Sequence, residues 1–310
     1  MIRAGRLSLG PVLSGAIIVS LVRPTSWVVG LAGFLAGGGL VLVAGPILVL
    51  PTPTGLQTML GGPLTTLVFG TPAAALALLA VGVAALVMAV AVAGALAGGW
   101  AERRGIGIAL DAAAEEGITA PVSLDGAPGI GRVAVLRLLA LVPVVVVLAI
   151  CWSPLYDTVY RELILPSELV TPLPVRVILD VPWILAALGI TWLLADSAAA
   201  IAVRRLVVER RPTARAWLDG WIELVRRPYR VLPAATAGLL VLALLMGPSL
   251  VAAQVGWTRV RDILLVGRDP VVTLLSVVVW VAVYLGCLVL AGVASAIRAA
   301  AMTLVAVRRA

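Results

Sequence analysis

Long apolar runs, broken by short charged or Pro/Gly-rich segments, succeed one another along the 310 residues. Six of them, at 26–50, 72–100, 133–152, 178–203, 231–255 and 271–301, are long enough for a hydrocarbon layer of about 30 Å, which takes about 20 helical residues. Prolines and glycines mark most of their ends. The pattern predicts an all-α, polytopic membrane protein with six transmembrane helices in a single integral membrane domain, 1–310. The first 24 residues carry Arg3 and Arg6 ahead of an apolar run, as a signal peptide does. They lack a small-residue cleavage site, and Arg23-Pro24 leads straight into the first long run, so the segment is expected to be retained.

One stretch breaks the apolar pattern with a different periodicity. Residues 203–230, "VRRLVVERRPTARAWLDGWIELVRRPYR", hold eight arginines and three acids. Thr213 follows Pro212 as an N-cap, and Pro228 stops the helix. Between them Trp217, Leu218, Trp221, Leu224 and Val225 recur at i, i+1, i+4, i+7 and i+8, which is one apolar stripe. Arg215, Asp219, Glu223 and Arg226 are expected on the other side, with Arg215 and Asp219 as an i,i+4 pair. This is the pattern of an interfacial helix, apolar into the acyl boundary and basic toward headgroups. Its candidate lipid-facing residues are Arg210, Arg211, Arg215, Trp217, Trp221, Arg226 and Arg227. A connector that fixes topology and packs under the bundle accounts for the same pattern. Residues 106–116 are a candidate counterpart, although their loop is net acidic.

The six runs also suggest a threefold repeat. Leu13-Ser14-Gly15, Leu124-Asp125-Gly126 and Leu218-Asp219-Gly220 precede the odd runs, and Arg23, Arg132 and Arg227 follow these tripeptides. The odd runs end at Gly45-Pro46, Ser153-Pro154 and Gly247-Pro248. The segments "TVYRELIL" at 158–165 and "TRVRDILL" at 258–265 come next in the last two copies. Pro72, Pro174 and Pro270 open the even runs, and Ala93, Ala195 and Ala291 each lie 21 residues further on. The expected units, 8–104, 119–211 and 212–310, are three parallel helical hairpins, each led by a cytoplasmic interfacial helix. Gly33-x-x-x-Gly37 and Gly94-x-x-x-Gly98 allow close helix approach, inside the bundle or at a dimer face.

Composition and charge narrow this picture. The chain is 62% hydrophobic, and all 23 basic residues are arginine. Sixteen of these fall on one side of the expected topology and five on the other, and the loop 51–71 has no charge. By the excess of arginine both termini are expected to be cytoplasmic. Trp27, Trp100, Trp152 and Trp257 fall near run ends, as an aromatic belt requires. The net charge of +8 is not gathered on one soluble domain, so no nucleic-acid partner is expected. The expected partners are anionic headgroups at the cytoplasmic face, and a protein partner or a second copy.

Ionisable residues within apolar runs are functional candidates by default. Asp196, Arg137 and Arg298 form the candidate intramembrane set, with Asp196–Arg137 the expected pair and a proton-relay role for Asp196 the rival. Asp180 is expected to pair with Arg176. Arg161-Glu162 and Arg259–Asp262 are expected as solvated surface pairs. The absence of histidine removes Ser-His and Cys-His nucleophiles and histidine metal sites. Cys151 and Cys287 are expected as separate, small buried residues. "GAPGIGR" at 126–132 lacks the end of a P-loop. Neither an enzyme nor a cofactor is expected.

"RLSLGPVLSGAIIVSLVRP" at 6–24, "ADSAAAIAVRRLVVERRPTARAWLDGWIELVRRP" at 195–228 and the six-run layout together resemble a broad group of prokaryotic membrane proteins. That group includes the membrane domain ahead of some glycerophosphodiester phosphodiesterases. Pro11 stands where the group has an acidic residue. The resemblance implies a helical bundle in a prokaryotic cell membrane, and with no phosphodiesterase domain expected here it carries over no activity. The function expected is organisation of lipids or partner proteins through cytoplasmic amphipathic helices. A permease, or the membrane subunit of a transporter, is the alternative.

Overall fold

The computed structural model describes residues 9–47, 70–165, 171–266 and 269–307, and every regular element among them is helical. Arg3, Arg6, Arg268, Arg308, Arg309, most of the 51–71 loop and the side chain of Arg230 lie outside the described residues. In order the helices are α1 (Leu9–Val22), α2 (Thr25–Phe34), a π turn (Leu35–Gly39) and α3 (Leu40–Ala44), then α4 (Ala73–Glu115), α5 (Ile130–Ile150), α6 (Trp152–Ile164) and α7 (Leu173–Asp180). The last four are α8 (Pro182–Val207), α9 (Thr213–Arg226), α10 (Pro228–Val266) and α11 (Pro270–Val307). Six helical segments are long and apolar enough to cross a membrane: Thr25–Ala44, Ala73–Glu115, Ile130–Ile150, Pro182–Val207, Val231–Val266 and Pro270–Ala306.

Three elements depart from the sequence pattern. Residues 106–116 do not form a separate interfacial helix. No proline interrupts residues 73–120, so α4 runs through them for 43 residues, about 65 Å at 1.5 Å per residue. It stops at Gly117, whose φ of 67° suits glycine, with the Ile118 amide donating to the Ala113 carbonyl and the Gly117 amide to Ala114. The Leu124-Asp125-Gly126 tripeptide lies in a turn, whereas Leu13–Gly15 and Leu218–Gly220 lie inside α1 and α9, so the tripeptide does not mark one structural position. Gly247-Pro248 does not end a helix either. α10 continues through Pro248, and the Ser249 hydroxyl donates to the Leu245 carbonyl (2.8 Å).

The described chain forms two compact units whose boundaries fall inside α4, α5 and α8. The first comprises Met1–Ile47, Gly94–Leu139 and Asp196–Ala310. Its core is built largely of small residues. Ala109, Ala112 and Ala113 of α4 pack on Val12, Ala16 and Val19 of α1 and on Ala300, Ala301 and Leu304 of α11. The next face of α4, Ile106 and Leu110, packs on Val133 and Leu136 of α5, Val203 and Leu206 of α8 and Ala216 of α9. A third cluster joins Val43, Met246, Cys287 and Ala291, and the Tyr284 hydroxyl donates to the Val43 carbonyl (3.0 Å) just beyond the π turn. The second unit, Leu48–Ala93 and Ala140–Ala195, contains α6 and α7, which pack together.

Glycines let the helices of the first unit approach closely. A Cβ on Gly30 would lie 2.5 Å from the Gly292 carbonyl oxygen, and one on Gly292 would lie 2.5 Å from that of Trp27. α2 and α11 therefore touch backbone to backbone. Gly94 and Gly98 face Ala36, and Gly33 faces Ala101, while Gly37 has no neighbour within 4 Å of a Cβ position.

Candidate functional site

α8 carries the residues that organise the first unit. Its C-terminal half is rich in alanine, and Ala195, Ala198, Ala199 and Ala202 are fully buried. Small side chains there leave room for long ones to cross between helices. Asp196 and Arg204, eight residues apart, use that room.

Asp196 meets both arginines expected near it. Its Oδ1 accepts from Nη1 of Arg137 on α5 (2.8 Å), and its Oδ2 accepts from Nη2 of Arg298 on α11. Two further residues extend the pair into a chain. Arg137 Nε donates to Oε2 of Glu102 on α4 (2.7 Å), and Oε1 of Glu102 accepts from Arg204 Nη1 (3.0 Å). Arg204 is buried, at 2% exposure, and also donates to the carbonyls of Ala200 (2.6 Å) and Ala299 (3.1 Å). The result is an alternating row, Arg298–Asp196–Arg137–Glu102–Arg204, that ties α4, α5, α8 and α11 together. Both oxygens of each carboxylate accept from arginine.

The sequence reading does not single out Glu102, and it counts Arg204 only toward the one-sided excess of arginine. A local signal for them existed. Glu102 lies eight residues after Gly94 and Arg204 eight after Asp196, the same register in two of the suspected repeats. Charge flanked by further arginine hides that register, because Arg103, Arg104 and Arg205 continue the run.

Arg205 starts a second row. It donates to Glu223 of α9 (2.7 Å) and to Glu209 (2.5 Å); Glu209 also pairs with Arg211 (2.7 Å), and Arg211 with Asp219 of α9. Glu223–Arg205–Glu209–Arg211–Asp219 alternates in the opposite sense and holds α9 to the end of α8. Asp219 thus pairs with Arg211 and not with Arg215, and Arg211 is a half-buried structural residue. Glu223 is buried, not on an outer polar side. Arg210, with φ of 56°, is exposed and donates to the Asp125 carbonyl. Arg215, Arg226 and Arg227 are exposed.

The single apolar stripe expected for α9 is split between two opposite faces. Ala216, Gly220, Glu223 and Leu224 are buried. A Cβ on Gly220 would lie 2.4 Å from the Ala198 carbonyl oxygen, so α9 sits directly on the α8 backbone. Leu218, Ile222 and Val225 point away and are exposed, the last at 75%. Trp217 and Trp221 lie half-buried between the two faces and meet edge to face, with centroids 5.8 Å apart. Glycine and alanine made the second face hard to see, because a helix contact built on small residues leaves no hydrophobic stripe in the sequence.

Elsewhere Arg23, in the turn after α1, donates to Glu115 at the end of α4, and that contact raises the Arg23 pKa above its ordinary value. In the second unit Arg176 lies on the buried face of α7 with Leu173 and Val177. It therefore pairs with buried Glu162 of α6 (3.1 Å), not with Asp180. Asp180 takes exposed Arg161 (3.1 Å) instead. Arg161-Glu162 is thus no solvated pair of its own, whereas Arg261–Asp262 is exposed and loose (3.8 Å). Cys151 and Cys287 are buried free thiols. Among the described residues no three metal-ligating side chains converge. A gap between Arg205, Glu223, Val231 and Met302 has room for about one water.

Comparison with protein-family models, with curated proteins and with solved structures gave no match to this chain.

Proposed function

We propose that the chain is a non-enzymatic, multi-pass membrane protein that organises anionic lipid at the cytoplasmic face through α9. One observation carries this reading. α9 is fastened to the bundle by a small-residue face and a row of ion pairs, yet the opposite face, Leu218, Ile222 and Val225, is apolar and exposed beside exposed Arg215 and Arg226. A rigidly held helix with an apolar face flanked by arginine suits the acyl–headgroup boundary. Polybasic segments beside a membrane gain about 1 kcal/mol per residue from anionic lipid. The resemblance to six-helix prokaryotic membrane proteins supports the same setting.

The permease reading is the weaker one. A conduit or relay needs a carboxylate able to exchange its partner, and both oxygens of Asp196 and of Glu102 are taken by arginine. Those contacts read more naturally as a clamp between helices.

The test is native mass spectrometry of the purified full chain from mixed phosphatidylglycerol and phosphatidylethanolamine membranes. The wild type is expected to retain phosphatidylglycerol. The Arg215→Gln, Arg226→Gln, Arg227→Gln triple variant, altered only at exposed positions, is expected to lose most of that retention. Equal retention by the two proteins sinks the proposal.

A further inference from the structure

The N-terminal helix presents a second surface of this kind, with a different chemistry. α1 contains no charged residue between Leu9 and Val22. Its inward face is Val12, Ala16, Val19 and Ser20, packed on α4 and α11. Its outward face is Ile17, Ile18, Leu21 and Val22, all exposed, Leu21 at 54%. The buried set in α9 is Ala216, Gly220, Glu223 and Leu224, with the same spacing, so α1 and α9 share one burial pattern offset by 204 positions. Aligned in that way, Ile18 falls on Ile222 and Leu21 on Val225, both of them exposed.

The two helices differ in what surrounds the exposed apolar face. In α9 it is flanked by arginine, whereas among the described residues α1 itself holds only Ser14 and buried Ser20 as polar side chains, and Arg23 just beyond it is paired with Glu115. At 14 residues, about 21 Å, α1 is shorter than the roughly 30 Å hydrocarbon layer. Its level is set by the neighbouring span. The indole nitrogen of Trp27 and the hydroxyl of Ser26, both in the first turn of α2, donate to the Ser20 carbonyl (2.9 and 3.2 Å). A tryptophan at a span end belongs to the membrane–water boundary. The last turn of α1 is thereby tied to the first turn of the span, at the boundary.

We infer that α1 is a neutral leaflet anchor, its Ile17/Ile18/Leu21/Val22 face covered by the acyl chains of lipid, and that it acts independently of the charge-dependent α9 surface. The inference rests on the reading of the long apolar helices as membrane spans. It commits to lipid because that face carries no charge for an aqueous or ionic partner to meet and its helix is tied to the first turn of a span. Inserting it removes apolar surface from water without any contribution from headgroup charge.

The experiment uses the full chain with Cys151→Ala and Cys287→Ala, reconstituted in phosphatidylcholine nanodiscs, which leave both faces open to iodide, with and without phosphatidylglycerol. An environment-sensitive fluorophore is attached at Leu21→Cys, and in a parallel sample at Asp262→Cys, an exposed position on a loose surface pair. Leu21 is expected to be quenched by spin-labelled lipid and at least fivefold less than Asp262 by aqueous iodide, equally at both lipid compositions. Iodide quenching matching that of Asp262 overturns the inference. Shielding from both quenchers also overturns it and makes a second copy or another protein the occupant. Because the readout at Leu21 does not depend on anionic lipid, failure here leaves the α9 proposal standing, and the lipid-retention test can fail without touching this one.

Discussion

At the residue scale, Asp196 decides whether three helices keep their partners. Its two oxygens neutralise Arg137 and Arg298, and Arg137 is shared with Glu102. Breaking a buried ion pair by removing one partner costs about 3–5 kcal/mol, because a charge is left buried and alone. Asp196→Ala removes a charged partner from Arg137 and from Arg298 at once, so it is expected to lower the melting temperature of the detergent-solubilised protein more than Arg298→Gln does. Arg137→Gln in the Asp196→Ala background should cost less than it does alone, with a coupling of about 1–3 kcal/mol. Additive losses would mean that the two side chains share no interaction. Arg137→Lys is not conservative here, since one ammonium has to replace a fork that reaches two carboxylates through Nε and Nη1. It is expected to behave like Arg137→Gln in the same melting assay, and wild-type stability of the lysine variant would contradict the fork geometry.

At the element scale the decisive contacts are backbone on backbone. Gly30→Ala would push a methyl group into the Gly292 carbonyl, and overpacking of this kind costs about 1–3 kcal/mol. Gly37→Ala meets nothing and is expected to be neutral or mildly stabilising, since alanine is the better helix former. The check is thermal aggregation of the two variants in one detergent, and equal loss in both would mean that the α2–α11 contact is not the limiting one. These two glycines also show what was legible in the sequence. The Gly33–Gly37 spacing was visible, yet Gly37 does no packing, while Gly30 and Gly292 touch across 262 positions with no motif to announce them. The six long apolar helices were legible because hydrocarbon demands continuous apolar length. The extent of α4 past Trp100 was not, because charge at a run end resembles a stop while helix propensity carries the backbone on. Asp196 and Arg137 could be linked by depth alone. Glu102 and Arg204 could not, since their pairing depends on which alanines let α4 and α8 come together.

At the scale of the whole molecule, charge divides into two kinds. The two alternating rows hold five arginines and five carboxylates and cancel, so the entire +8 is carried by other residues. Arg204, Arg205 and Arg211 therefore owe their presence to packing as much as to topology, and the topogenic bias has to survive their removal from the count. It does: Arg103, Arg104, Arg132, Arg210, Arg215, Arg226 and Arg227 still outnumber Arg161, Arg176, Arg259 and Arg261 on the other side. Positive charge in short loops is retained on the cytoplasmic side during insertion. With Cys151 and Cys287 replaced by alanine, an impermeant maleimide is expected to label Asp262→Cys in intact cells and Ser123→Cys only after the membrane is opened. The reverse pattern would invert the topology and put the α9 arginines on the outer surface, where the proposed lipid contact would have to be made with the other leaflet.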